Sequence, residues 1–274
     1  MLAWSTDIHL DHIRPESDPY KAWLSELTDD QISGVLLTGD LADANSVIPW
    51  LHQVAEDVQR PIYFVLGNHD YYHGSISAVR EAMGQITHPS LFWLDQAGPM
   101  KLSEDLSIVG VGGWGDGRVG DFLETPVRLN DHRLIEELTI SDRSALLREL
   151  MTLGERDAAM LSAQLNATTT RRVIVATHVP PFRESTWYQG RYGDWDWMPD
   201  FCCGAVGEVL MSYAQAHPDQ DLNVYCGHSH GEGSYRPLPN LNVFTGRAEY
   251  GQPRRQGVLD MHGVVTDAER YLIA

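Results

Sequence analysis

Short apolar runs and stretches of helical period take turns along this chain of 274 residues. Residues 2–6, 34–38 and 61–66 are apolar enough for buried strands, and between them apolar side chains recur every three or four positions. Tyr20, Trp23, Leu24 and Leu27 share one face of a first predicted helix, with Asp18 as its cap and Pro19 as its first residue. Val47, Leu51, Val54 and Val58 face inward from a second helix, and Ile76, Val79, Met83 and Ile86 from a third. Strands follow over 91–94 and 107–111. The order βαβαβα is that of a layered α/β protein.

Helical period returns over 134–165, with Leu134, Leu138, Leu146, Leu150 and Leu161 as inward residues and Gly154 as a predicted break. We expect this stretch, near 131–166, to form a helical excursion from the sheet. Further strands are predicted over 173–177, 222–226, 241–245 and 257–261, with one helix near 206–216. No internal repeat, low-complexity tract or Pro/Gly/Ser-rich linker divides the chain, so one domain over 1–274 is expected.

Composition narrows the classes. Apolar residues make up 43% and charged residues 21%, which excludes disordered and fibrous chains. No apolar run approaches the roughly 20 residues that span a bilayer, so no membrane partner is expected. The first residues carry no basic and apolar export pattern, which makes the cytoplasm the expected compartment. Three cysteines, Cys202, Cys203 and Cys226, suit a reducing environment, and Cys202-Cys203 reads as apolar filling. Twenty Lys+Arg against 38 Asp+Glu leave a net charge of -18, which disfavours duplex nucleic acid as a partner because backbone binding needs a basic surface.

The candidate chemistry lies where the apolar runs end. Asp7-Ile8-His9 follows the first, Gly39-Asp40-Leu41-Ala42-Asp43 the second and Gly67-Asn68-His69-Asp70 the third. His178 closes the run over 173–177, and Gly227-His228-Ser229-His230 closes that over 222–226. The carboxyl ends of strands are where α/β sheets place ligands. The glycines before Asp40, Asn68 and His228 are read as bends that free those side chains. Carboxylate, amide and imidazole without thiolate suit Mn, Fe or catalytic Zn. Asp7, His9, Asp40, Asn68, His178, His228 and His230 oversupply one ion but fit two, roughly 3.5–4 Å apart, with a shared carboxylate.

This ordered set of motifs, spanning Asp7 to His230, is similar to the signature of the calcineurin-like metallophosphoesterases. The resemblance implies an α/β protein built as a four-layer α/β/β/α sandwich, with two mixed sheets packed face to face. It also implies two divalent or trivalent ions bridged by Asp40, one held by Asp7, His9 and His230, the other by Asn68, His178 and His228. His69 would contact the phosphate and protonate the leaving group, and Asp43 would orient His69. A hydroxide bridging the ions would attack phosphorus. Asp70 stands where many members carry Glu, and no Arg-Gly follows Asp43 as in the Ser/Thr protein phosphatases, so a phosphoprotein substrate is disfavoured.

Other residues have plainer readings. His12 and His73 read as surface residues near the motifs, while His52, His88, His132, His217 and His262 have no motif around them. The loop 112–118 is either a turn at the rim or a phosphate cradle with Arg118 as clamp, although its glycine spacing matches neither the dinucleotide fingerprint nor the P-loop. Trp187, Trp195 and Trp197 gather in an insert near 183–203 that is either a lid packed on the core or an aromatic wall for a base or sugar. The expected function is hydrolysis of small phosphate mono- or diesters. The alternatives are a nuclease for short single strands, and a non-catalytic scaffold, which would be expected to have lost ligands that this chain keeps.

Overall fold

The computed structural model describes residues 1–266 and Tyr271. Its strands are β1 (Leu2–Ser5), β2 (Gly34–Thr38), β3 (Ile62–Val65), β4 (Leu91–Trp93), β5 (Met100–Lys101), β6 (Leu106–Gly110), β7 (Arg172–Ala176), β8 (Trp187–Tyr188), β9 (Arg191–Tyr192), β10 (Asp221–Cys226), β11 (Gly233–Leu238), β12 (Leu241–Thr245) and β13 (Gly257–Leu259). Its α-helices are α1 (Asp18–Leu27), α2 (Val47–Val58), α3 (Ile76–Gly84), α4 (Leu94–Ala97), α5 (Asp131–Leu134), α6 (Arg143–Asn166), α7 (Met198–Phe201) and α8 (Gly204–Ala216).

Two mixed sheets result, in the orders β13-β1-β2-β3-β4 and β11-β12-β10-β7-β6-β5. In the first, β1 to β4 run parallel and β13 is antiparallel at the edge. In the second, β6, β7, β10 and β12 run parallel, and β5 and β11 form antiparallel edges. The two-residue period of a strand sends alternate side chains to opposite faces, and both faces here are apolar. Leu2 and Trp4 of β1 meet Ile174 and Ala176 of β7 in the space between the sheets. There the Trp4 ring lies 4.9 Å from Tyr225, edge to face.

The outer faces are covered by helices. Ala3, Val35 and Phe64 pack with Trp23, Leu51 and Ile76 of α1 to α3. Val173, Val175 and Val224 pack with Leu161 of α6 and Leu210 of α8. The architecture is therefore the four-layer α/β/β/α sandwich.

Several local expectations need correction. Ser17 caps α1, its Oγ accepting from the Tyr20 amide, so Asp18 is already helical. Gly154 does not break its helix: α6 runs through it for 24 residues. A Cβ there would press on Asp116 Cβ at 2.7 Å, so this glycine lets the helix approach the loop 112–118. The C-terminal half of α6, with Ala158, Leu161 and Leu165, packs on the outer face of the second sheet, whereas Leu146, Leu150 and Leu153 of its N-terminal half pack with Trp114 and Phe122. The short strands β5, β8 and β9 are too brief to show alternation, and β11 carries Pro237, which weakens its strand signal. No described helix is long and apolar enough to cross a membrane.

Candidate metal centre

Loops at the carboxyl ends of β1, β2, β3, β7 and β10 bring the motif residues to one crevice. The loops are tied to one another through their backbones: Asp7 N donates to Gly39 O at 3.1 Å, His9 N to Asp40 O at 3.0 Å and Gly227 N to His178 O at 3.0 Å. Asp7, His9, Asp40, His228 and His230 all adopt left-handed backbone conformations, with φ of 49°, 41°, 52°, 65° and 57°. Such conformations cost on the order of 1–3 kcal/mol each in non-glycine residues and collect at functional sites.

Among the flanking glycines, Gly39 has the expected left-handed bend, with φ of 84°. Gly67 and Gly227 serve a different need. A Cβ at Gly67 would strike Asp40 Oδ1, and one at Gly227 would strike Asp7 Oδ2, so these glycines make room for carboxylates.

Two groups of donor atoms converge. Asp7, His9, Asp40 and His230 place ligand atoms within 4.8 Å of one another, and so do Asp40, His178 and His228. Asp40 belongs to both, with Oδ2 at 3.9 Å from His9 Nε2 and Oδ1 at 3.2 Å from His178 Nε2. Asn68 Oδ1 lies 3.1 Å from the same His178 nitrogen, which adds an amide oxygen to the second group.

Electrostatics favour cations here. Burial lowers the His9 pKa to about 3, and burial together with the His178 charge lowers that of His228 to about 3. Both rings are thus neutral, the form that binds metal. Burial raises the pKa of Asp7, but the hydrogen bond from His230 and the charge of His178 outweigh it and bring the group to about 2. For His178 burial acts downward, yet the charge and hydrogen bond of Asp40 lift it to about 10. His9 Nε2 and His230 Nε2 face each other at 3.4 Å, and His9 Nδ1 is buried without a partner. Imidazole nitrogens gathered between ionised carboxylates are the donor set that a pair of divalent ions satisfies.

Surrounding groups fix these side chains. His178 Nδ1 lies 3.0 Å from Thr38 O, and His228 Nε2 lies 3.1 Å from Asp200 O, which leaves His178 Nε2 and His228 Nδ1 for a cation. Asp70 accepts the amides of Leu41, Ala42 and Gly67, at 2.8, 2.9 and 2.8 Å, and so staples the second motif loop to the third. Sequence reasoning missed Asp131, Tyr72, Tyr250 and the Asp200–His132 pair, whose side chains meet at 3.3 Å. None lies in a recognisable pattern, and only the fold brings them to the crevice.

A cavity of about 390 Å³ opens over the donor atoms, lined on one side by Asp40, Asn68, His69 and His230. Tyr188, Tyr192, Trp197 and Phe201 line the other side. Of the three tryptophans of the insert, only Trp197 lines this cavity. Trp187 is buried against Gly233, and Trp195 stands on the outer surface with the Arg183 guanidinium 4.4 Å above its ring.

Arg118 is also displaced from its expected role. Its guanidinium is paired with Glu155 at 2.6 Å and Asp116 at 3.4 Å, beside a groove between α6 and α8 and outside the crevice. Asp43 accepts from Ser46 Oγ, and its carbonyl accepts the amides of Ser46 and Val47, so it closes the turn into α2. No hydrogen bond among the described residues joins Asp43 to His69. The His69 ring stacks on Tyr72 at 4.1 Å, with Nε2 3.9 Å from Asp40 Oδ2.

The family described as calcineurin-like phosphoesterase matches the chain over residues 2–232. Among solved structures the chain is similar to phosphopantetheinyl hydrolase from Mycobacterium tuberculosis, with a TM-score of 0.64 and 12% identity over 93% of this chain and 94% of that one. It is also similar to a dimetal phosphatase from Danio rerio, with a TM-score of 0.56 and 13% identity over 90% and 87% of the two chains. At these identities the likeness is one of fold. No curated protein matches the chain.

Proposed function

The chain belongs to the calcineurin-like phosphoesterases, enzymes that hydrolyse phosphoesters with two metal ions, and from that premise we propose that its substrates are small phosphate mono- or diesters with an organic or nucleotide-like group. The observation that carries this reading is the Asp40 carboxylate, shared by two sets of ligand atoms beneath a cavity of about 390 Å³. A cavity of that size suits a compact ligand, and the net charge of -18 repels an extended polyanion.

In this reading Asp7, His9, Asp40 and His230 hold one ion, and Asp40, Asn68, His178 and His228 the other. Imidazole with carboxylate and amide oxygen favours Mn or Fe, with Zn also compatible. Bound there, the ions would neutralise phosphate charge and lower the pKa of a water molecule. His69, beside the ligands and open to the cavity, donates a proton to the leaving oxygen as its bond to phosphorus breaks and the oxygen of water takes its place. The aromatic wall receives the organic group. Three free, buried cysteines support a reducing, cytoplasmic setting.

The test is turnover of protein reconstituted with Mn, Fe or Zn on nitrophenyl phosphate, a nitrophenyl diester and a nucleotide ester, beside a long single-stranded oligonucleotide. Metal-dependent hydrolysis of the small esters is expected. A salt-sensitive preference for the oligonucleotide would overturn the substrate assignment.

A further inference from the structure

Tyr250 belongs to none of the motifs and lies beyond residue 232, where the family match ends. It sits on the connection between β12 and β13 and is 48% exposed, yet its ring reaches back over the donor atoms. The ring centroid is 4.5 Å from that of His9, 4.9 Å from His12, 5.3 Å from His230 and 6.1 Å from His69. The ring is thus held among imidazoles and lines the same cavity as Asp40 and Asn68. The hydroxyl of Tyr72, in the same cavity, is spent on Asp131 at 2.6 Å. That of Tyr250 makes no hydrogen bond to any described residue.

We propose that Tyr250 is a further catalytic residue, whose hydroxyl donates a hydrogen bond to a non-bridging oxygen of the phosphoryl group bound in this cavity. The inference rests on the phosphoesterase reading of the site. A phenol is suited to the task because it is a neutral donor: it adds no charge beside Asp7 and Asp40, and its bond strengthens as negative charge grows on the equatorial oxygens. Tyr250 keeps its proton throughout, so the leaving oxygen is protonated by another group. Ring packing against His9 and His12 restricts the side chain, which reduces the entropy lost when the bond forms.

The experiment compares Tyr250→Phe and Tyr250→Ala with the wild type, all reconstituted with Mn, by calorimetric titration with inorganic phosphate, alongside metal content and turnover. Wild type should bind phosphate. Tyr250→Phe should keep two ions and bind phosphate roughly tenfold more weakly, the loss of one hydrogen bond to a charged group, with kcat falling at least as far. Tyr250→Ala should lose no more phosphate affinity than Tyr250→Phe, because the hydroxyl and not the ring makes the contact. If Tyr250→Phe binds phosphate within about twofold of wild type, or loses an ion, the proposed contact is wrong while the phosphoesterase reading stands. If the wild type itself binds no phosphate, both fall together.

Discussion

Asp131 accepts a hydrogen bond from Asn68 Nδ2 at 2.9 Å, and this bond decides which end of the Asn68 amide faces the crevice. A carboxylate only accepts, so it holds the NH2 end and turns Oδ1 toward His178. The Tyr72 hydroxyl donates to the same Asp131 oxygen and stiffens the arrangement. Asp131→Ala frees the amide to rotate. We expect the affinity of the ion at Asn68, His178 and His228 to fall by about 10–100-fold while the other ion stays, giving a biphasic Mn titration. A uniform loss at both positions would show that Asp131 supports the fold rather than the amide.

Asp40 should behave differently because its two oxygens serve two groups. Asp40→Asn is expected to weaken both ions, whereas Asn68→Ala should weaken one. Elemental analysis after Mn loading separates them: fewer than one ion per chain for the Asp40 variant, and close to one for the Asn68 variant.

The contrast between Asp40 and Asp131 marks how far the sequence could be read. Asp40 lies in a Gly-Asp-x-x-Asp element directly after an apolar run, so its position at a strand end follows from local pattern. Asp131 lies 63 residues from Asn68, in a short helix with no motif, and only tertiary folding brings them together. The same distinction runs through the fold. Strands of four or more residues show in their apolar runs, except β11 with its Pro237, while the two-residue hairpin strands of the insert leave no periodic trace. Gly154 looks like a helix break because isolated sequence cannot reveal that Asp116 packs against it. Arg118 reads in sequence as free to bind phosphate because its carboxylate partner Glu155 lies 37 residues away.

His69→Ala should leave metal content intact, since neither group of ligand atoms includes it. Turnover should fall, and fall most for esters with basic leaving groups, which depend on protonation. Comparing nitrophenyl with alkyl phosphates checks this. Equal losses on both would leave His69 as a contact to phosphate and nothing more.

Asp95 gives the protein a pH dependence away from the metal site. Burial, reinforced by the nearby Asp157 charge, raises its pKa from 3.8 to about 7, and its Oδ1 is buried without a partner. The folded state therefore holds a proton that the unfolded chain releases. This contribution to stability is present below the unfolded pKa of 3.8 and is lost as pH rises through about 7. Asp95→Asn keeps the shape without the charge. Its melting temperature relative to wild type should climb between pH 4 and pH 7 and then level off, as thermal melts across that range would show. A difference that is flat with pH would mean that Asp95 is ionised in the fold.

The tryptophans of the insert should separate into three behaviours. Trp197 lines the cavity and is 46% exposed, so its removal costs little packing but takes away a surface on which an aryl or nucleotide group can stack. Trp197→Ala is expected to raise KM for a nucleotide ester with kcat, metal content and melting temperature nearly unchanged, the pattern of lost uniform binding. Trp187 is 5% exposed, and its ring fills the space over Gly233, so Trp187→Ala should destabilise the fold by about 3–5 kcal/mol. Trp195 faces outward beneath Arg183, and its replacement should change neither KM nor stability by much. Steady-state kinetics and thermal melts of the three alanine variants decide the matter. A KM that responds to Trp195 as strongly as to Trp197 would mean that the insert closes over the substrate and brings its outer face into contact.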